Sequence, residues 1–190
     1  MKIILASASP RRKELLEQMG LSFSCMLSQK EEQISSDAPN QAVMELAFQK
    51  AWDIFQQTEG EVLVIGADTL VVCQGQILGK PKSEKEAFQM LSLLQGGSHL
   101  VYTGVALLYR NIKKELVKKI FEEHTTVRMY PMTEAEIDAY IATKEPMDKA
   151  GAYAIQGKGA VYIQGIDGEY NTVVGLPIAR VYQELLLWDL

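Results

Sequence analysis

Short β-rich apolar runs alternate with segments of helical period along this chain, and in places two runs follow each other across a tight turn. The first half reads as a strand over 2–6, a helix opened by Pro10, and a strand over 21–27. A long helix follows from Pro39 to about Gln57, then strand material over 61–73 interrupted by Gly66-Ala67-Asp68. Gln74-Gly75 turns the chain into a short strand over 76–78. A third helix over 83–94 stops at Gly96-Gly97, and strands over 98–110 and 114–129 flank a turn near Asn111. A short helix over 133–142, a loop over 143–159, a strand over 160–166 and a helix over 178–187 complete the pattern. Strand–helix alternation calls for crossovers, and the hairpins call for antiparallel pairing. Together they predict an α/β fold, a mixed β-sheet with flanking helices. Helix starts carry their own signals: Ser9 before Pro10, and the capping-box pairs Ser83/Glu86 and Thr133/Glu136.

A length of 190 residues fits one domain. With 47% apolar and 23% charged residues the chain can bury a core, which excludes disordered, collagen-like and coiled-coil classes. Nineteen Lys+Arg against 24 Asp+Glu leave a net charge of −5, which argues against a dedicated nucleic-acid binder. No apolar run reaches the roughly 18 residues of a membrane span, and the apolar stretch after Lys2 is too short for a signal peptide. Cys25 and Cys73 lack metal-ligand spacing and read as reduced, buried residues of a cytoplasmic protein.

Several constellations carry chemistry. Ser7-Ala8-Ser9-Pro10-Arg11-Arg12-Lys13 puts three cations in the first turn of a helix, where the dipole favours anions. A bound oxyanion, phosphate being the usual guest, resolves that conflict; a solvated turn with locally paired arginines is the alternative. Lys50 follows Val43 by seven residues, Leu46 by four and Ala47 by three, so it lies on the apolar stripe of its own helix. It either snorkels at the core edge or aims a cation into a cleft. Asp68 ends the apolar run from Val62, where a carboxylate must be paired, metal-bound or protonated. That suits a general base or metal ligand, a turn aspartate being the plain alternative. Gly66 beside it suggests a bulge or a close backbone approach. Gly79-Lys80-Pro81 is no Walker loop, because Pro81 replaces the required Ser/Thr, yet Lys80 is a candidate phosphate contact. The loop over 145–157 carries alternating charge and Gln156, whose amide offers a donor and an acceptor to a base edge. His99 and His124 lack a nucleophile partner and suggest no triad, and Lys113, Lys114, Lys118 and Lys119 read as a solvated face. Glu31-Glu32 reads as polar loop, although isolated carboxylates do serve Mg²⁺.

Leu5-Ala6-Ser7-Ala8-Ser9-Pro10-Arg11-Arg12 resembles the opening motif of the Maf-like nucleotide pyrophosphatases. Gly66-Ala67-Asp68-Thr69, Gly79-Lys80-Pro81, the run from Glu145-Pro146 to Ala152-Tyr153, Ile155-Gln156-Gly157 and Val174-Gly175-Leu176-Pro177 resemble its later motifs, in order and over essentially the whole chain. The resemblance implies one bilobed domain over 1–190, with the inosine-triphosphate pyrophosphatase-like fold and two lobes around a central nucleotide groove. It implies hydrolysis of a nucleoside triphosphate to the monophosphate and pyrophosphate with a divalent metal cation, Mg²⁺ or Mn²⁺. It places the proton acceptor on Asp68, sharing the metal with Glu32, and phosphate or metal handling on Ser7, Arg11, Arg12, Glu32, Lys50 and Lys80. Arg12, Thr69 and Gln156 resemble the specificity positions of dTTP/UTP-type members, house-cleaning enzymes that remove surplus or non-canonical nucleotides. Members preferring 7-methyl-GTP differ around the last two. Ala154 stands where the family usually has Gly, and Leu94-Gln95-Gly96 where Leu-Ser-Gly is common. A homodimer is a further expectation. Two readings compete with the dTTP/UTP one: a pyrophosphatase for another base such as 7-methyl-GTP, and a nucleotide-binding regulator of septum formation or cell division. Asp68 and Glu32 favour catalysis, since a pure binder gains nothing from acids near phosphates.

Overall fold

A computed structural model describes residues 1–188 and 190. Its elements are β1 Lys2–Leu5, α1 Pro10–Gln18, β2 Ser24–Cys25, α2 Pro39–Gln56, β3 Val62–Cys73, β4 Gln76–Leu78 and α3 Glu84–Leu94. Then come β5 Ser98–Arg110, β6 Leu116–Met129, α4 Glu134–Ala142, β7 Ile163–Asp167, α5 Tyr170–Val174 and α6 Ile178–Leu186. The hydrogen-bonded order is β2-β1-β3-β5-β6-β7, with β4 on β3. β1 runs parallel to β2 and β3, whereas β3/β4 and β6/β7 are antiparallel. The expected mixed sheet is therefore present. The chain divides into two compact units, the first built from 1–68, 103–123 and the end from Gly175, the second from 69–102 and 124–174.

In the first unit β1 lies between β2 and β3. The chain leaves β1 to one side and returns on the other, and the carboxyl ends at such a switch point are where open α/β sheets bind ligands. The apolar stripe of α2, with Ala47, Ala51 and Ile54, packs on Ile4, Val64 and Leu108. Side chains alternate along a strand, so Ile3, Leu5, Leu63, Ile65 and Leu107 face the other way, and they are buried too. α2 sits close: a Cβ on Gly66 would fall 2.8 Å from the Ala51 Cβ, and one on Gly104 would fall 2.7 Å from the Met44 nitrogen. The close approach expected at Gly66 is thus present, but the expected interruption is not, because β3 runs unbroken from Val62 to Cys73.

In the second unit β3 and β4 form a hairpin in which Cys73 faces Gln76, and Gln74 and Gly75 both take positive φ, the geometry of a two-residue turn. Ser83 caps α3 by accepting from the Glu86 N–H, but the Glu86 carboxylate turns to the Lys82 N–H, so that box is half formed. The Thr133/Glu136 box on α4 is complete. Leu91, Leu94, Val101, Val127 and Tyr153 belong to the core of this unit.

Three further expectations fail. The strand expected over 21–27 shrinks to two residues, and Cys25 within it is exposed, not buried; Cys73 is buried as expected. β2 pairs only with β1, and as an outer strand of two residues it covers neither of its own faces. The strand expected from 160 starts at Ile163, because Gly157–Tyr162 winds into a 3₁₀ turn. α5, at five residues, is too short to show a helical period. No described helix is long and apolar enough to cross a membrane.

Candidate active site

The site grows from the carboxyl end of β1. The Ala6 N–H donates to the Ile65 carbonyl at 2.8 Å, which brings the chain entering Ser7 alongside the one entering Asp68. Ser9 is extended and caps α1, its Oγ accepting from the Arg12 N–H at 3.5 Å, and Pro10 occupies the first turn. The buried Ser7 Oγ accepts from the Ser9 N–H at 3.1 Å and from Arg12 Nη1 at 3.4 Å. Arg12 Nε donates to the Gly175 carbonyl at 2.8 Å. The Arg12 guanidinium is therefore folded back over the start of its own helix. Desolvation draws its pKa below the ordinary value; Asp68 opposes this, Arg11 adds to it and Glu32 opposes it. The two acids thus feel the same cation.

Lys50, on α2, turns inward and does not snorkel outward. Its Nζ pairs with Asp68 Oδ1, and with Glu32 Oε1 at 3.1 Å. The Lys50 and Asp68 side chains are 17% and 13% exposed, whereas Glu32 is 49% exposed, so the inner pair is shielded and the outer acid meets solvent. The paired reading of Asp68 holds, on the strand and not in a turn. Two carboxylates converging on one cation suit a hard divalent ion, which takes one or two carboxylates with phosphate oxygens and waters. Among the described residues no three His, Cys, Asp or Glu side chains converge. A metal here would need further donors from the substrate.

Thr69, Lys80 and Gln156 belong to the second unit. Thr69 follows Asp68 along β3. Lys80 is exposed, and the Gly151 N–H donates to the Gly79 carbonyl at 3.0 Å, which fastens the loop around 150 to the Gly79-Lys80-Pro81 motif. Gln156 is half-buried at the start of the 3₁₀ turn. This loop is built by Tyr140, which the sequence did not single out, and by Glu145, read there as the start of the loop motif and given no role of its own. Glu145 Oε1 accepts from the Tyr140 hydroxyl at 2.8 Å and the Gly159 N–H at 3.0 Å, and Oε2 accepts from the Lys158 N–H at 3.0 Å. Burial pushes the Glu145 carboxyl up, but the two amides, the Tyr140 hydroxyl and Lys149 outweigh it and leave the pKa below its ordinary value. A Cβ on Gly157 would meet Glu145 Oε2 at 2.5 Å, and its φ is +80°, so only glycine fits there. The Tyr140 hydroxyl also accepts from the Ala154 N–H at 3.1 Å; Ala154 is buried, so its extra methyl packs inside the loop. The one available signal was a carboxylate directly before Pro146 in a Gly-rich loop. His99 is buried against Tyr153, with Nε2 and the hydroxyl 2.8 Å apart, in keeping with a core role.

The first unit therefore gathers Ser7, Arg12, Glu32, Lys50 and Asp68, with Arg11 in the same helical turn as Arg12.

The Maf-like protein family matches residues 2–187. A dTTP/UTP pyrophosphatase of Agathobacter rectalis is 50% identical over 196 residues, covering 97% of this chain and 96% of the relative. One from Bacillus cytotoxicus is 53% identical over 189 residues, covering 99% and 96%. Among solved structures, the Staphylococcus aureus Ham1 protein aligns over the whole of both chains at 11% identity with a TM-score of 0.48.

Proposed function

The chain belongs to the Maf-like protein family, and on that footing we propose that it is a nucleoside triphosphate pyrophosphatase acting on dTTP and UTP. The observation that carries the chemistry is the alternation of charge at the switch point, with Lys50 held between Asp68 and Glu32 beside Arg12.

A triphosphate brings a charge of about −4, which shifts toward the leaving pyrophosphate as the anhydride breaks. Arg11, Arg12, Lys50 and Lys80 supply the opposing charge, with the Ser7 hydroxyl as a hydrogen-bonding partner at the positive end of the α1 dipole. Asp68, held against the Lys50 ammonium, is placed to act as the acceptor. It takes the proton of the attacking water as the new P–O bond forms and the anhydride P–O bond breaks. A divalent cation held by Glu32 and Asp68 would neutralise charge on the phosphate oxygens. Thr69 and Gln156, with Arg12, are assigned the base. The Gln156 amide matches the adjacent carbonyl and N–H of a pyrimidine, and a site built on such bonds rejects bases that leave them unpaired.

The test is pyrophosphate release from the eight common nucleoside triphosphates and 7-methyl-GTP, with Mg²⁺, Mn²⁺ or neither, and with Asp68→Asn as blank. Release mainly from dTTP and UTP, dependent on metal and absent from the blank, is expected. Release from 7-methyl-GTP instead would keep the reaction and overturn the base assignment. No release from any of them would shift the reading to a nucleotide-binding regulator.

A further inference from the structure

Glu32 sits in the stretch joining β2 to α2, which forms no regular structure and is exposed throughout 29–35. Ordering such a stretch is unfavourable in entropy, and burial does not offset it here. Its main chain is held instead by side chains of α2. Glu45, Gln49 and Asp53 are spaced by four residues and line one face of the helix, a turn apart. Glu45 accepts from the Ser35 N–H at 3.0 Å and from the Ser35 hydroxyl at 2.7 Å. Gln49 Oε1 accepts from the Gln33 N–H at 3.0 Å, and Gln49 Nε2 donates to the Gln33 carbonyl at 2.6 Å. One side chain thereby satisfies both main-chain groups of a residue, as a neighbouring strand would. The buried Asp53 accepts from the Gln29 N–H at 3.3 Å and pairs with Lys30 at 3.2 Å. The helix ascends as the segment descends. Lys50, next to Gln49, meets Glu32, next to Gln33.

We propose that Glu45, Gln49 and Asp53 are positioning residues: a ladder that holds the segment along α2 and sets the Glu32 carboxylate against Lys50. The proposal rests on the reading of Glu32 as a phosphate- and metal-handling residue. Gln49 is the central rung, because an amide carries a donor and an acceptor whereas a carboxylate only accepts.

Two measurements on the full chain test it: amide hydrogen exchange without nucleotide or metal, and kcat/KM for dTTP. The variants are Gln49→Leu, which keeps a good helix former, Gln49→Glu, Glu32→Gln and the Gln49→Leu/Glu32→Gln double variant. In Gln49→Leu the Gln33 and Ser35 amides exchange about tenfold faster while those of Ala47 and Ala51 do not change, and kcat/KM falls about tenfold. Gln49→Glu, which keeps one bond of two, falls between. In the Glu32→Gln background Gln49→Leu removes nothing further, since both act through one carboxylate. Unchanged exchange overturns the ladder, whatever Glu32→Gln does. Faster exchange with full activity, or an additive loss in the double variant, also overturns it, because Glu32 would then be set by other means. Full activity of Glu32→Gln alone would overturn the reading of Glu32 and the proposal with it.

Discussion

At the scale of the residue, the pairing of Asp68 with Lys50 decides the chemistry. A carboxylate this shielded calls for a charged partner, and the Lys50 ammonium lies against it. Asp68→Asn keeps the shape and removes the charge, while Lys50 keeps Glu32 as a partner. Pyrophosphate release from dTTP is expected to fall by 10²–10⁴-fold, the usual worth of a positioned base, with the melting transition still cooperative. Activity within about twofold of wild type would remove Asp68 from the mechanism. Lys50 and Asp68 were both legible as anomalies in the sequence, a cation on an apolar stripe and an acid ending an apolar run. That they answer each other was not, because 18 residues of chain separate them.

At the scale of the element, α2 carries Lys50 and the ladder, and its seat on the sheet sets where they go. A Cβ at Gly104 would press on the helix backbone at Val43 and Met44, which cannot yield as a side chain can. Gly104→Ala is expected to destabilise by about 1–3 kcal/mol in urea unfolding, the range for overpacking, and to lower activity as α2 shifts. The loop after α4 depends on Glu145 in a similar way. Glu145→Gln leaves one accepting oxygen where two amides and a hydroxyl now share two. A loss of about 1–2 kcal/mol is expected, with KM for dTTP rising more than kcat falls if the loop carries the base assignment. The helices other than α5 were readable nearly to the residue, α2 over 39–57 against Pro39–Gln56, because Pro and cap signals act within one turn. β2 and β7 were misjudged because a strand's length is set by the neighbour it pairs with, which its own residues do not reveal.

At the scale of the whole molecule, stability should sense pH through His99, which is 3% exposed. Burial holds its pKa at about 4, below the ordinary 6.5. Between those values the unfolded chain binds the proton and the folded one does not. The contribution of His99 is thus complete above pH 6.5 and is lost as pH falls toward 4, by about 3 kcal/mol over the window. Urea unfolding at pH 7 and pH 5 is expected to show this slope in wild type and a flatter one in His99→Phe; equal slopes would contradict it. What the chain's residues specified alone were its local elements, through caps, periods and turn dipeptides, and its kinship, through motifs in fixed order. Packing settled the rest: which acids share Lys50, why β3 runs unbroken through Gly66, and how Glu145 and the α2 ladder hold segments that have no period of their own. The division has one physical origin. Caps and periods depend on neighbours within a turn or two of chain, whereas ion pairs and close backbone contacts depend on distances of a few ångströms between residues far apart in sequence, and only the packed fold sets those distances.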